Sequence, residues 1–413
     1  MSTPLTLIQL ISEQTMQNLV PLLALKPAHV VHLATSKTAA RSAQIVEAAR
    51  QAQVVTELDS IRLSEMPSIP ETSRAVLLAA EVAREAQQTP VINFTGGTKL
   101  MSIGAYEAAM RGQVTSLYVD TDHQQFLDGH SGPKLNTVLG DDFSFTPFQK
   151  ALTVNAIAVA NGRQRVTTGR DWQPFLSLAS HFLQSGADES ATWNAVHGPD
   201  GICPRGREPR RAGDWLPLLD RPLPLPPRVG ELALAAGLLR ANGAMLLLPA
   251  GTRAKLEELV RAERPTLPDY SAAVRPLQFA LAFLSGGWWE VAVADAAHRS
   301  GQFRDLRWSV NVGERQGGFD PEEDIVGVDG VQIAYFSCKR GGAKARLVPL
   351  LDELDNRARA IGGHFTRRFL AVYQPPFGQN AANLKKRARE LNGIQIITPP
   401  DLENPVVFTR RNH

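Results

Sequence analysis

PVINFTGGTKLMSIGAYEAAMRG (90–112) decides how the first third of the chain is read. PVINFT is a short apolar run, TGGT interrupts it, and TKLMSIGAYEAAMRG places apolar residues at helical spacing. A strand therefore passes straight into a helix through a glycine pair. The pattern recurs on both sides. LTLIQLI (5–11) reads as a buried strand, and SEQTMQNLVPLLALK as the helix after it, with Ser12 placed as an N-cap. HVVHLAT (29–35) and TAARSAQIVEAARQA repeat the unit, and SRAVLLAAEVAREAQQ leads into PVINFT. TSLYVDTD (115–122) follows the glycine-led helix. Strict alternation of strand and helix requires parallel crossovers, hence a doubly wound sheet with helices on both faces. The expectation for residues 1–150 is a Rossmann-like α/β domain.

In such sheets ligands bind beyond the carboxyl ends of the strands. The candidate loops are Ser12 to Gln14, Thr35 to Thr38 and TGGTK (95–99). The last sits where free N–H groups of a first helical turn and the positive end of the helix dipole favour an anion. Gly96 and Gly97 would let backbone approach a ligand closely, Thr95 and Thr98 offer hydroxyls, and Lys99 offers a charge. The spacing matches neither G-x-x-x-x-G-K-[ST] nor G-x-G-x-x-G, which disfavours ATP hydrolysis and dinucleotide binding. A tight glycine turn with a surface lysine is the plainer alternative.

The rest of the chain is organised differently. With 413 residues, two or three domains are expected at roughly 100 to 200 residues each. HGPDGICPRGREPRRAGDWLPLLDRPLPLPPRV (197–229) is dense in Pro, Gly and Arg and reads as a connector. WQPFLSLASHFLQSG lies before it, and GELALAAGLLRANG and TRAKLEELVRAE after it. Residues 151–275 are accordingly expected to hold a small helical or winged element. From residue 276 a third pattern begins, with the amphipathic FALAFLSGGWWEVAVADAAHRS and strands at LRWSVNVGE, EDIVGVDG and VQIAYFSCK. A helix at LVPLLDELDNRARAIGG, the strand RRFLAVYQP, the helix NAANLKKRARELNG and the strand IQIITP complete it. Helix first and strands in succession make 276–413 a second α/β unit, not a copy of the first.

Within EEDIVGVDGVQIAYFSCKRG, Asp324 heads one strand and Lys339 ends the next, on either side of a turn at Asp329 and Gly330. A hairpin brings two such positions together.

The two constellations carry a resemblance. NFTGGTKLMSIGAYEAA, with LIQLISEQTMQNLVPLLALKPAHVVHLATSKT, resembles the CARF domain (CRISPR-associated Rossmann fold) of type III CRISPR ancillary nucleases. Those proteins sense cyclic oligoadenylate, most often cyclic tetra-adenylate, across a two-fold dimer interface. The resemblance implies that Thr95, Gly96, Gly97, Thr98 and Lys99 bind the ligand backbone, with Ser12, Gln14, Thr35 and Ser36 as weaker candidates. One loop used twice would serve both halves of a two-fold ligand in a homodimer.

The downstream acid and lysine resemble the PD-(D/E)xK restriction-endonuclease-like core, in which carboxylates bind Mg2+ or Mn2+ and the lysine positions or activates water. Such family members often read acidic-C-K at the second strand; here the residues are Ser337, Cys338 and Lys339. A serine hydroxyl is a poor ligand for a hard cation, so another acid should substitute. Glu290, on WWEVAVADAA, and Glu323, beside Asp324, are the candidates. Glu290 with Asp324 is the expected metal pair, and Asp324, Lys339, Glu290 and Ser337 the expected catalytic set. A solvated acidic turn at 322–324 with an edge-strand lysine is the structural alternative.

The implied function is a cyclic oligoadenylate-activated nuclease cutting DNA, RNA or both. A sensor with a degenerate nuclease domain that binds nucleic acid or a partner is the runner-up, and a transcriptional sensor a third reading that lacks a clear recognition helix.

Composition fits a soluble chain, with 43% apolar and 21% charged residues. No run of about 18 apolar residues was expected to cross a membrane. The N-terminus lacks a secretory signal pattern, and a cytoplasmic location with no membrane partner is expected. Cys203 and Cys338 are the two cysteines, too few and too far apart for a disulfide framework or a thiolate zinc site. From Lys339 onward, 14 Lys and Arg face 6 Asp and Glu, an excess that would favour a polyanion. LKKRARE (384–390) offers a late basic helix for phosphate contacts.

Overall fold

The computed structural model describes residues 3–121, 123–140, 146–163, 165–203, 209, 211–249, 252–262, 266–313, 322–341, 347–391 and 393–409. Part of the arginine-rich connector, residues 204–208 and 210, lies outside them, as does Asp122.

The first sheet is built from β1 (Leu5–Leu10), β2 (His29–Ala34), β3 (Glu57–Arg62), β4 (Thr89–Asn93), β5 (Thr115–Asp120) and β6 (Gln125–Asp128). Their order is β3-β2-β1-β4-β5-β6, parallel except for the antiparallel β5 and β6 pair. The buried Leu7, Ile8, Val30, Leu33, Val91 and Ile92 alternate between its two faces. α1 (Met16–Leu25) and α2 (Ala39–Gln51) cover one face with Leu19, Leu22, Ile45 and Val46. α3 (Ile69–Glu85) and α4 (Lys99–Gly112) cover the other with Val76, Ala80, Ala105 and Ala109. The alanine face of α4 lets α3 and α4 pack side by side. Strand order reverses between β1 and β4, which places the switch-point crevice between the loops after those two strands.

After the short α5 (Leu135–Leu139) and α6 (Thr146–Gln149), α7 (Val154–Ala160) and β7 (Arg165–Val166) lead out of this sheet. A helical stretch follows: α8 (Leu176–Gln184), α9 (Gly186–His197), α10 (Ala212–Trp215), α11 (Pro227–Ala235), the hairpin β8 (Arg240–Asn242) with β9 (Met245–Leu247), and α12 (Arg253–Arg261). The middle segment, for which a small helical or winged element was expected, thus holds helices with a two-stranded hairpin. Its core is nevertheless continuous with the next unit, since Phe182, Trp215 and Leu256 share one cluster with Trp288 and Phe336.

α13 (Leu267–Ala282) runs through a π turn, Phe283–Gly287, that is kinked at Gly286, where the backbone is non-helical, into α14 (Trp288–Arg299). The span Asp269–Arg299 is long and apolar enough to cross a membrane, contrary to the expectation from sequence. Its apolarity has a packing cause: Leu277, Leu281, Phe283, Leu284, Trp288, Trp289, Val291 and Val293 are at most 2% exposed in the core. Trp289 also donates its Nε1–H to the Ala371 carbonyl oxygen at 3.1 Å, anchoring α14 to the sheet beneath.

That second sheet comprises β10 (Arg304–Gly313), β11 (Glu322–Asp329), β12 (Gln332–Gly341), β13 (Arg367–Gln374) and β14 (Gln395–Ile397), in the order β14-β13-β12-β11-β10-β7. β12, β13 and β14 are parallel, whereas β11 is antiparallel to both its neighbours. α14 covers one face, and α15 (Val348–Gly362) with α7 covers the other; α16 (Gln379–Glu390) packs on α15 through Leu384 and Ala388. Val154 and Ile157 of α7 and Leu351 and Leu354 of α15 share a single apolar cluster with Ile45 and Val46 of α2. The two sheets are thus joined by core, not merely tethered.

Candidate functional site

The parallel strands β2, β1 and β4 end side by side, so Thr35 and Ser36, Ser12 and Gln14, and TGGTK rise at one edge of the first sheet. The expected ligand residues are therefore neighbours. Their side chains are not equally available. Gly96 is buried, and a Cβ on it would lie 2.1 Å from the Leu10 carbonyl oxygen, so a close approach to β1 requires glycine here. Gly97 has φ +76°, the left-handed region that the turn demands. Thr95 Oγ1 accepts the Val119 N–H at 2.7 Å and so points to β5. Thr98 caps α4 by accepting the Met101 N–H at 3.3 Å. Ser12 Oγ accepts from the Gln14 N–H at 3.2 Å, Thr35 N–H donates to Thr38 Oγ1 at 3.1 Å, and Ser36 pairs with Glu65. Lys99, exposed at the first position of α4, has no ion-pair partner among the described residues. The backbone N–H groups of the turn and the Lys99 charge are what this edge offers an anion.

Under the edge lies a buried polar network. Asn93 Oδ1 accepts the Thr95 N–H at 3.1 Å, and Asn93 Nδ2 donates to Gln9 Oε1 at 3.2 Å and to the Gln17 carbonyl oxygen at 2.9 Å. Since Gln9 Oε1 accepts there, its Nε2 donates to His32 Nε2 at 2.9 Å, which leaves the His32 proton on Nδ1 to be donated to Ser42 Oγ at 2.7 Å. Burial pushes the His32 pKa down to about 3. The network fixes the entry to TGGTK from below. Its signal in sequence is a set of polar residues on strands that otherwise read as apolar.

A second constellation sits at the far end of the chain. Ile325 pairs with Phe336 in the β11 and β12 hairpin, and one step onward Asp324 meets Ser337. Cys338 N–H donates to Asp324 Oδ2 at 2.6 Å, Ser337 Oγ lies 3.5 Å from the same oxygen, and Lys339 Nζ lies 3.6 Å from it. Glu290 approaches from α14, its Oε2 accepting the Trp308 Nε1–H at 2.9 Å. Desolvation, then the negative charge of Asp324, push the Glu290 acid up to about 8, while the Trp308 bond opposes the rise. Asp324, Lys339, Ser337 and Glu290, expected together, are brought together. The π turn immediately before α14 sets the rotation at which Glu290 meets the sheet.

Glu323 does not serve as the substitute acid. Alternation along β11 turns it to the opposite face, where it is 3% exposed and bound by Arg357 at 2.8 Å and by Tyr335 Oη at 2.5 Å. Glu322 shares the face of Asp324 and adds to the upward push on Glu290. Arg170, from the middle segment, stacks over Phe279 at 4.1 Å and lies within electrostatic reach of Glu322 and Glu290. Neither could be found from sequence, because strand register and a long-range approach decide them.

Two carboxylates on facing elements are hard oxygen donors of the kind Mg2+ or Mn2+ takes, with water or a phosphate completing the shell. No group of three or more His, Cys, Asp or Glu is arranged to hold a metal ion among the described residues. Cys338 is buried, and burial pushes its thiol well up, which leaves it a packing residue. In α16, Arg387 is occupied by Asp352 and Glu390.

Residues 6–134 match the family model for the Card1 CARF domain. The structure of Can2 from Sulfobacillus thermosulfidooxidans in complex with cyclic tetra-adenylate is similar over 97% of this chain and 98% of its own, at TM-score 0.65 and 19% identity. Protein VC1899 from Vibrio cholerae is similar over 97% and 95%, at TM-score 0.66 and 14% identity. A type III CRISPR defence DNA nuclease activated by cyclic oligoadenylate is similar over 92% of this chain and 48% of its own, at TM-score 0.51 and 16% identity. No curated protein matches by sequence. The first third of the chain is thus similar to the Card1 CARF domain, and the fold of the whole chain is similar to that of Can2.

Proposed function

We propose that the chain is a cyclic oligoadenylate-activated, metal-dependent nuclease of type III CRISPR defence. The observation that carries this reading is the convergence of Glu290, Asp324 and Lys339, from one helix and two strands, in a chain that begins with a CARF domain. Can2, of like fold along its whole length, binds cyclic tetra-adenylate in the structure compared here, and that ligand is the proposed activator.

In this reading the three proposed domains are the CARF domain (1–150), the connecting helical segment (151–275) and a PD-(D/E)xK nuclease-like domain (276–413). The ligand lies over the loops after β1 and β4, with Lys99 as its principal charge contact. The protein acts as a homodimer. Leu100, Ile103, Tyr106 and Met110 support this, for they form a stripe along α4 that is at least 38% exposed at each residue, beginning beside Lys99. A two-fold axis at that stripe would bring both TGGTK loops to one ligand. Buried Cys203 and Cys338 fit a reducing, cytoplasmic setting.

Glu290 and Asp324 would hold Mg2+ or Mn2+. The metal would supply Lewis-acid stabilisation of the scissile phosphate and a bound water of lowered pKa. The chain's own groups have separable tasks. Trp308 orients Glu290, the Cys338 N–H holds Asp324, and Lys339 stands beside Asp324 to position water or phosphate. The substrate is DNA, RNA or both.

A second reading, a ligand sensor with a non-cleaving nuclease domain, is favoured by Ser337 at the position of the second acid. One experiment separates them. Supercoiled plasmid and single-stranded RNA are incubated with the protein and Mn2+, with and without cyclic tetra-adenylate. Ligand-dependent cleavage is expected; bound ligand without cleavage in any lane would leave the sensor.

A further inference from the structure

Strand register brings Arg170 to the acid and lysine cluster. Beyond β7 the chain stays along β10: Thr167 N–H donates to the Asn311 carbonyl oxygen at 3.0 Å, and Arg170 N–H to that of Trp308 at 2.8 Å. Gly169, at φ +80°, permits this, since a Cβ there would lie 2.7 Å from the Trp308 carbonyl oxygen. Cross-strand pairing then sets Arg170, Trp308, Ile325 and Phe336 in one row. Trp308 turns its indole N–H to Glu290, and Asp324 stands one residue from Ile325. A cation thus ends the row on the β10 side of Asp324, as Lys339 stands on the β12 side.

The side chain of Arg170 is fixed in place with its donors open. Its Cζ lies 4.1 Å from the centre of the Phe279 ring, and Phe279 in turn packs against Phe175, Phe283 and Trp308. A guanidinium that close to a ring lies against it by its face and keeps its N–H edges for other partners. Among the described residues those N–H groups meet no hydrogen-bond acceptor, and no carboxylate lies within ion-pair distance of Arg170. Glu322 and Glu290, the acids within its electrostatic reach, accept instead from Ser309 and Trp308. Arg275, four residues before Phe279 on α13, is exposed and near enough to add a second positive charge. A stacked guanidinium with open edges matches phosphate oxygens in pairs.

We propose that Arg170 grips the nonbridging oxygens of a nucleic-acid phosphate at the acid and lysine cluster, and that Arg275 meets a phosphate farther out along the same strand. This rests on the function proposed above and names residues that hold its substrate. Asp324, Glu290 and Glu322 repel a polyanion, and Lys339 already lies 3.6 Å from Asp324. The charge that draws the nucleic-acid backbone in therefore comes from the middle segment and α13. A guanidinium fork offers parallel donors, so Arg170 sets the orientation of the phosphate as well as its approach.

The test reads binding and cutting separately on the full chain. Fluorescein-labelled DNA duplex and single-stranded RNA are titrated in EDTA with cyclic tetra-adenylate present, across a salt series, for wild type, Arg170→Gln, Arg170→Lys and Arg275→Gln. Cleavage of the same two substrates in Mn2+ is then followed, and thermal melting checks that each variant folds. Arg170→Gln should weaken binding about tenfold and flatten the dependence of log Kd on log salt by roughly one phosphate contact. Arg170→Lys should keep the salt slope, because the charge remains, and still lose about tenfold in kcat/KM, because the fork is gone. Arg275→Gln should flatten the slope by a similar amount; an unchanged slope there removes Arg275 from the path. If Arg170 served packing alone, Arg170→Gln would lower the melting temperature and leave the salt slope and kcat/KM of the folded protein at their wild-type values, and that result overturns the proposal. If wild type binds nucleic acid and never cuts it, the nuclease reading falls while the slope of Arg170→Gln still decides the phosphate contact. Wild type that neither binds nor cuts overturns both.

Discussion

His32 is held neutral by its surroundings: one ring nitrogen accepts from Gln9, the other donates to Ser42, and no carboxylate among the described residues joins the network. Its folded pKa of about 3 lies below the ordinary 6.5, so the unfolded chain binds the proton more readily. Stability from this group is complete above 6.5 and is lost as pH falls from there toward 3, by up to about 1.4 kcal/mol per pH unit. Urea titrations across that window should show a shallower decline for His32→Gln than for wild type; parallel curves would remove His32 as the cause. At the other end, Ser337→Glu adds a carboxylate beside Asp324 and should raise Mn2+-dependent cleavage several-fold in a plasmid assay. At the signal edge, Lys99→Ala should weaken cyclic tetra-adenylate about tenfold in a filter-binding assay, the loss of roughly one charged hydrogen bond. Single residues were partly legible in the sequence. Lys99, Asp324 and Lys339 announce themselves by type and place. The structural demand on the glycine pair was not legible, because Gly96 packs against Leu10, a neighbour that only the folded sheet supplies.

Among elements, the segment from α13 to α14 shows how a backbone irregularity aims a side chain. The π turn at Phe283–Gly287 is kinked at Gly286, whose backbone angles are non-helical, and Glu290 lies three positions beyond it. Deleting Gly286 removes the kinked residue and should rotate Glu290 relative to α13, by about 100° for one residue of helix, with everything downstream. Because Trp288 and Trp289 would turn too, melting temperature is measured alongside cleavage. Loss of cleavage with a larger stability loss than Glu290→Gln is the expected pair of results. Strand and helix alternation in the first 120 residues was readable because period and turn chemistry agree there. The facing of 322–324 was not, since a one-residue change of register exchanges Glu322 and Glu323 between a cluster of acids and a bond to Arg357. The pairing of β7 with β10 is a contact across some 150 residues that no local pattern carries.

For the whole molecule, the α4 stripe predicts association. Ile103→Glu with Met110→Glu should shift sedimentation from dimer to monomer and weaken cyclic tetra-adenylate binding without lowering the melting temperature, since both residues are about half exposed. Unchanged sedimentation would place the dimer contact elsewhere. Two α/β units with helices between were legible, but their common apolar core was not, because LTVNAIAVANGRQRVTTG (152–169) reads in sequence as a hairpin, whereas Val154–Ala160 folds as the helix α7 that joins the sheets. That core bears on how such chains can be recombined. A chimera that grafts another signal reader at residue 150 would cut between Ile45 and Val46 on one side and Val154 and Ile157 on the other. The receiving half would be left with a greasy wound and no matching helix to close it. A viable graft carries α7 with the reader and trades the facing residues of α15 as a set, so the unit of exchange in this fold is an interface, not a domain.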